Sequence, residues 1–110
     1  MKTEISVRHI IIEAQEAAAV ATKKYLDEIG ASPWNCGFAW VNIKPARGPF
    51  VKALKDMELG RADTFYGGYT FWNPSGNPTQ DVDAKAAGAR AFAAVLEKHG
   101  VKIRVCTRMD

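Results

Sequence analysis

Gly37-Phe38-Ala39-Trp40-Val41-Asn42-Ile43-Lys44 decides the fold, because it alternates with period two between two unlike sets of side chains. Strand side chains point to opposite faces in turn, so Phe38, Trp40, Asn42 and Lys44 share one side and Ala39, Val41 and Ile43 the other. Two further segments repeat the pattern. Tyr66, Gly68, Thr70 and Trp72 oppose Tyr69 and Phe71, while Lys102, Arg104, Cys106 and Arg108 oppose Val101, Ile103 and Val105. A sheet of these three strands, at about 37–44, 64–72 and 101–107, buries one apolar face and shows rings interleaved with cations on the other. That second face suits an anionic, stackable ligand or a partner protein.

Helical periodicity fills the intervals. Over residues 5–29, Val7, Ile10, Ile11, Ala14, Ala17, Ala18, Ala21, Tyr25 and Ile29 recur at spacings of three and four, and Gly30 is a fitting stop. The small Ala17-Ala18-Ala19 run lets this helix approach a sheet or its own copy closely. Pro49 is suited to the first turn of a short helix ending before Gly60, with Phe50, Leu54 and Met57 as its stripe. A third helix is expected over 82–98, capped by Asp81 or Thr79 and buried along Ala89, Phe92, Val95 and Leu96. Its interior Gly88 costs about 1 kcal/mol against alanine, which predicts a close helix contact there. Gly67-Gly68 marks a bulge or a close backbone approach.

The resulting order is α-β-α-β-α-β. It predicts an α/β fold with a small three-stranded sheet, helices packed on it, and parallel pairs made by helical crossovers. The 110 residues form a single domain, 1–110, with 47% hydrophobic and 25% charged residues. Ile10-Ile11-Ile12 is followed at once by Glu13 and Glu16, so no membrane span is expected. Lys2, Glu4 and Arg8 leave no apolar leader, and a cytoplasmic protein follows. In that compartment Cys36 and Cys106 are expected as thiols. Those cysteines, with His9 and His99, show no metal-ligand spacing, so neither a metal nor a cofactor is assigned.

The net charge of +3 is uneven: residues 36–75 and 101–110, which carry the strands, hold the excess cations. Asn42, Lys44, Arg47 and Gly48 form a strand-to-helix turn suited to an anion, through backbone N–H groups, helix dipole and two cations. The Walker spacing is absent, and solvated loop charges are the plainer alternative. Phe38, Trp40, Tyr66, Trp72, Lys102, Arg104 and Arg108 make up the stacking or interface face. They are core if the first helix covers them, and otherwise a protein or dimer interface or a nucleic-acid platform. Catalytic sets are thin. Asp81 and Asp83 are explained by capping and the helix dipole, and neither histidine has a partner at a recognised spacing.

Val41-Asn-Ile-Lys-Pro-Ala-Arg-Gly48 with Phe50-Val51, Tyr66-Gly67-Gly68, Ala87-Gly-Ala-Arg-Ala-Phe92 and Thr107-Arg-Met-Asp110 resemble small accessory proteins encoded by bacteriophages. The resemblance covers residues 37–110 and carries no assigned activity. It implies a virus-encoded protein in the bacterial host cytoplasm, acting on host machinery or a host defence. The expected function is that of a non-enzymatic binding protein working through a host protein or as a homodimer. The alternative is a binder of nucleic acid or a phosphorylated small molecule, such as a nucleotide.

Overall fold

The computed structural model describes residues 4–110, with side chains from Val7 onward. The elements run α1 (Glu4–Glu28), β1 (Gly37–Ile43), α2 (Pro49–Asp56), β2 (Arg61–Ala62), β3 (Tyr69–Trp72), α3 (Val82–Glu97) and β4 (Ile103–Met109). Residues 1–3, Lys2 among them, lie outside the described residues. The α/β class stands, and no helix among the described residues is long and apolar enough to cross a membrane.

The sheet differs from the expectation in two respects. It has four strands, in the order β2-β3-β1-β4, and every neighbouring pair is antiparallel. After α1 the chain is therefore β-α-β-β-α-β, the split β-α-β arrangement. Helix α2 joins β1 to β2 with β3 inserted between them, and α3 joins β3 to β4 with β1 inserted between them. A helical crossover fixes the relative direction of the strands it joins; it does not make them neighbours. That is why parallel pairs were expected and antiparallel ones formed.

The extra strand, Arg61–Ala62, lies just before the segment expected to be one strand over 64–72, of which only Tyr69–Trp72 is strand. Asp63 Oδ1 accepts the N–H groups of Phe65 (2.9 Å) and Tyr66 (2.8 Å), which bends the chain. Gly67 and Gly68 complete the reversal with φ of 80° and 79°. Arg61 then pairs with Thr70 and Ala62 with Tyr69. The two glycines thus form a hairpin turn and no bulge, while the expected close approach is real. A Cβ on Gly68 would lie 2.6 Å from Asn42 Oδ1 and 2.8 Å from the Ile43 carbonyl oxygen.

One face of the sheet carries the core. Ala39, Val41, Ile43 and Tyr69 are buried against Ile10, Ile11, Leu54, Phe92 and Leu96, with Phe71, Ile103 and Val105 packed at the margin. Helix α3 lies against β1 and β4, and α1 lies against α3 and α2. The buried stripe expected on α3 is realised at Ala89, Phe92, Val95 and Leu96. Asp81 caps that helix by accepting the Ala84 N–H at 2.9 Å.

Gly88 sits where α1 crosses α3. A Cβ there would collide with Thr22 Oγ1 and stand 3.1 Å from the Ala18 carbonyl oxygen. Thr22, absent from the expected stripe, is fully buried and donates to the Ala84 carbonyl at 2.7 Å. Because Ala84 is in the first turn of α3, the last turn of α1 runs past the end of its neighbour. This leaves Ile29, expected to be buried, 69% exposed. Gly88→Ala should destabilise the protein by about 1–3 kcal/mol in a thermal melt, since overpacking outweighs the roughly 1 kcal/mol gained in helix propensity. A raised melting temperature would mean that the helices have room to part.

Candidate functional site

The face opposite the helices is open: no helix or strand among the described residues lies over it. Register fixes its layout. Trp40 of β1 stands between Trp72 of β3 and Cys106 of β4, Asn42 between Thr70 and Arg104, and Phe38 beside Arg108. The fate of the rings as core is thereby excluded, because α1 spends its small-residue surface on α3 instead of on these strands.

The rings form one assembly. Trp40 and Trp72 stack with centroids 4.5 Å apart and planes at 27°, and Phe38 meets Trp72 edge-on at 5.9 Å. Trp72 is 40% exposed. The Arg108 guanidinium lies 5.7 Å and the Lys85 ammonium 5.4 Å from the Phe38 centroid, within cation–π range. Arg104 is exposed one row further along β4. Among the described residues, the ion pairs Lys23–Asp27 and Lys52–Asp56 lie on α1 and α2, and no carboxylate engages Arg104 or Arg108. Arg104 and Arg108 are thus free to meet an anion, whereas the Lys85 ammonium donates to the Gly37 carbonyl at 2.8 Å.

A hydrogen-bond chain fastens the β2–β3 hairpin to the same surface. Asn42 Nδ2 donates to Thr70 Oγ1 and to the Gly67 carbonyl, each at 3.0 Å, and Thr70 Oγ1 donates to Asp63 Oδ2 at 3.3 Å. The Tyr66 N–H holds the Asp63 carboxyl below the usual range. Partial burial opposes this, and the Phe65 N–H, Thr70 hydroxyl and Lys44 charge reinforce it. Held this way, the hairpin presents Phe65 at 83% and Tyr66 at 64% exposure, with ring centroids 4.6 Å apart. Tyr66 is thus a loop residue, not the strand residue expected, yet it lines the same groove as Trp40, Trp72, Arg104 and Arg108.

The other expected site divides. Lys44, Arg47 and Gly48 are exposed at the start of α2 and share a groove with Lys102. Gly48, at φ 103°, caps the helix without a side-chain bond, and Pro49 follows in the first turn. Asn42 is apart from them: it is 3% exposed and commits its amide nitrogen to the hairpin. Its Oδ1 is buried against Gly68 without a hydrogen-bond partner.

Cys36 and Cys106 are not joined to one another. No cluster of His, Cys, Asp and Glu among the described residues is arranged to hold a metal ion. The sequence reading missed Arg61, Asp63 and Phe65. The signal that marks them is Asp63 placed before Gly67-Gly68, an Asx-turn residue leading into a glycine reversal.

No protein-family model, curated protein or solved structure matches this chain.

Proposed function

We propose that this is a small non-enzymatic protein that binds single-stranded nucleic acid on its open sheet face. The observation that carries the reading is the Trp40–Trp72 stack on the two central strands, flanked by unpaired Arg104 and Arg108, on a surface left uncovered by the helices. Splayed bases stack on such rings while arginines follow the phosphates. A four-stranded sheet whose surface rings stack two or three bases is how RNA-recognition modules hold single strands. The parallel is architectural; the rings and cations supply the chemistry. With the resemblance to phage accessory proteins, the reading places the activity in a bacterial cytoplasm.

A second reading is association with a protein, including a second copy of the chain. It is favoured by Trp34 and Phe65, which are 90% and 83% exposed. Fluorescence anisotropy with labelled single strands and duplexes of one sequence, run beside sedimentation, separates the two. The proposal expects single-strand binding with a Kd of about 10⁻⁶–10⁻⁴ M at physiological salt, weaker duplex binding, and loss of both as salt rises. A dimer with no oligonucleotide binding at low salt would favour the second reading.

A further inference from the structure

We infer that the bound strand does not end on the aromatic face but continues along one cationic track to the start of α2, so that Lys102 and Arg47 belong to the same binding site. The inference rests on the single-strand reading above and extends it. Four shallow grooves follow one another across the molecule, each sharing walls with the next. The first runs between Arg61, Phe65 and Tyr66 and ends at Trp72 and Arg108. The second shares Tyr66, Trp72 and Arg108 and reaches Trp40 and Arg104. The third shares Asn42 and Arg104 with the second and reaches Lys44 and Lys102. The last shares Lys44 and Lys102 and closes at Arg47, Gly48 and Pro49.

Six cations thus mark a continuous path, with rings concentrated in its first half and bare charge in its second. Two carboxylates border it. Asp63 is already occupied by the hairpin N–H groups and Thr70, and Glu97 flanks the third groove. The division of labour follows from this order. Bases stack over Trp72 and Trp40, and the phosphates beyond them are held without base contact by Lys102 and Arg47. Known single-strand sites span ~4–16 nucleotides, which sets the strand lengths to compare.

The test uses oligothymidylates of increasing length with the parent protein and with Arg47→Ala/Lys102→Ala. Both side chains are exposed, so the variant should melt within a few degrees of the parent. For the parent, affinity should climb with length beyond four nucleotides and level off by about sixteen. The variant should bind a twelve-nucleotide strand about tenfold more weakly, with its log–log salt slope reduced by about 1.4 for two lost phosphate contacts. It should bind a four-nucleotide strand as the parent does. Equal binding of the long strand by parent and variant would overturn the extended track and leave the sheet-face site standing. Equal weakening of long and short strands would overturn the division of labour. Failure of the parent to bind any length would remove the single-strand reading itself, and the track with it.

Discussion

Asp81→Ala should cost about 2–4 kcal/mol, the largest stability loss expected from any single truncation of a polar side chain in this protein. Asp81 is 1% exposed and carries three bonds on its two oxygens. Oδ1 accepts from the Ala84 N–H at 2.9 Å and from Asn35 Nδ2 at 3.2 Å, and Oδ2 accepts from the Ser32 N–H at 2.9 Å. The residue is thus both the cap of α3 and the anchor of the turn that delivers the chain into β1. Loss of a cap costs about 0.5–2 kcal/mol, and buried N–H groups left without an acceptor add about 1–3 kcal/mol. Against a total stability of about 5–15 kcal/mol this is a large share, and it lowers the melting temperature by about 4–8 °C per kcal/mol. Asp81→Asn keeps the Oδ1 acceptor and should lose about half as much.

The pH dependence has a definite sign. Burial alone would raise the Asp81 carboxyl, but the bonds from Ser32, Ala84 and Asn35 outweigh it and hold the group below its ordinary value. A carboxyl depressed in the folded state adds stability above its unfolded pKa of about 3.9, and that stability is lost as pH falls through the lower folded value. Acid unfolding of the parent should therefore be steeper below about pH 4 than that of Asp81→Ala. Parallel acid-stability curves for the two would show that the carboxylate is solvated.

Trp40→Ala/Trp72→Ala should weaken single-strand binding at least about 30-fold. A base stacked on an aromatic ring is worth about 1–3 kcal/mol by alanine substitution, and each 1.4 kcal/mol is a factor of ten. Both rings belong to one stack, so a base that rests on Trp72 is also steadied by Trp40 beneath or beside it. Trp72→Ala alone should lose about fivefold or more while melting near the parent temperature, because that side chain is already 40% exposed. Anisotropy titrations paired with melts decide the matter. Binding within a few-fold of the parent by a folded double variant would place the site elsewhere.

How much of this was legible in the sequence depends on range. Period-two alternation gave both faces of β1 correctly, because Ala39-Val41-Ile43 and Phe38-Trp40 differ in chemistry as well as position. The Asp81 cap and the close contact at Gly88 were legible for the same local reason: each residue type has a single strong physical motive at its place. The fourth strand was not, since Arg61-Ala62 is too short for any period to register. Whether the aromatic face was covered turned on a contact between residues far apart in the chain. Ala18 and Thr22 meet Gly88, so α1 binds α3 and leaves the rings open, and nothing in α1 alone announces that choice. Asn42 read as a ligand residue because it opens the strand-to-helix turn that carries Lys44, Arg47 and Gly48. Its neighbours across the sheet draw it into the hairpin instead.

The central claim is that the open face, and not another part of the surface, meets the nucleic acid. The chain has three tryptophans, and they divide usefully: Trp40 and Trp72 lie on the face, while Trp34 is 90% exposed on the turn before β1. Titrating oligothymidylate into isotopically labelled protein at low salt, and following the three indole N–H resonances, tests the claim most directly. The account predicts saturable shifts for Trp40 and Trp72, with Trp34 unmoved. Unmoved Trp40 and Trp72 at saturating oligonucleotide, or a shift confined to Trp34, would contradict it.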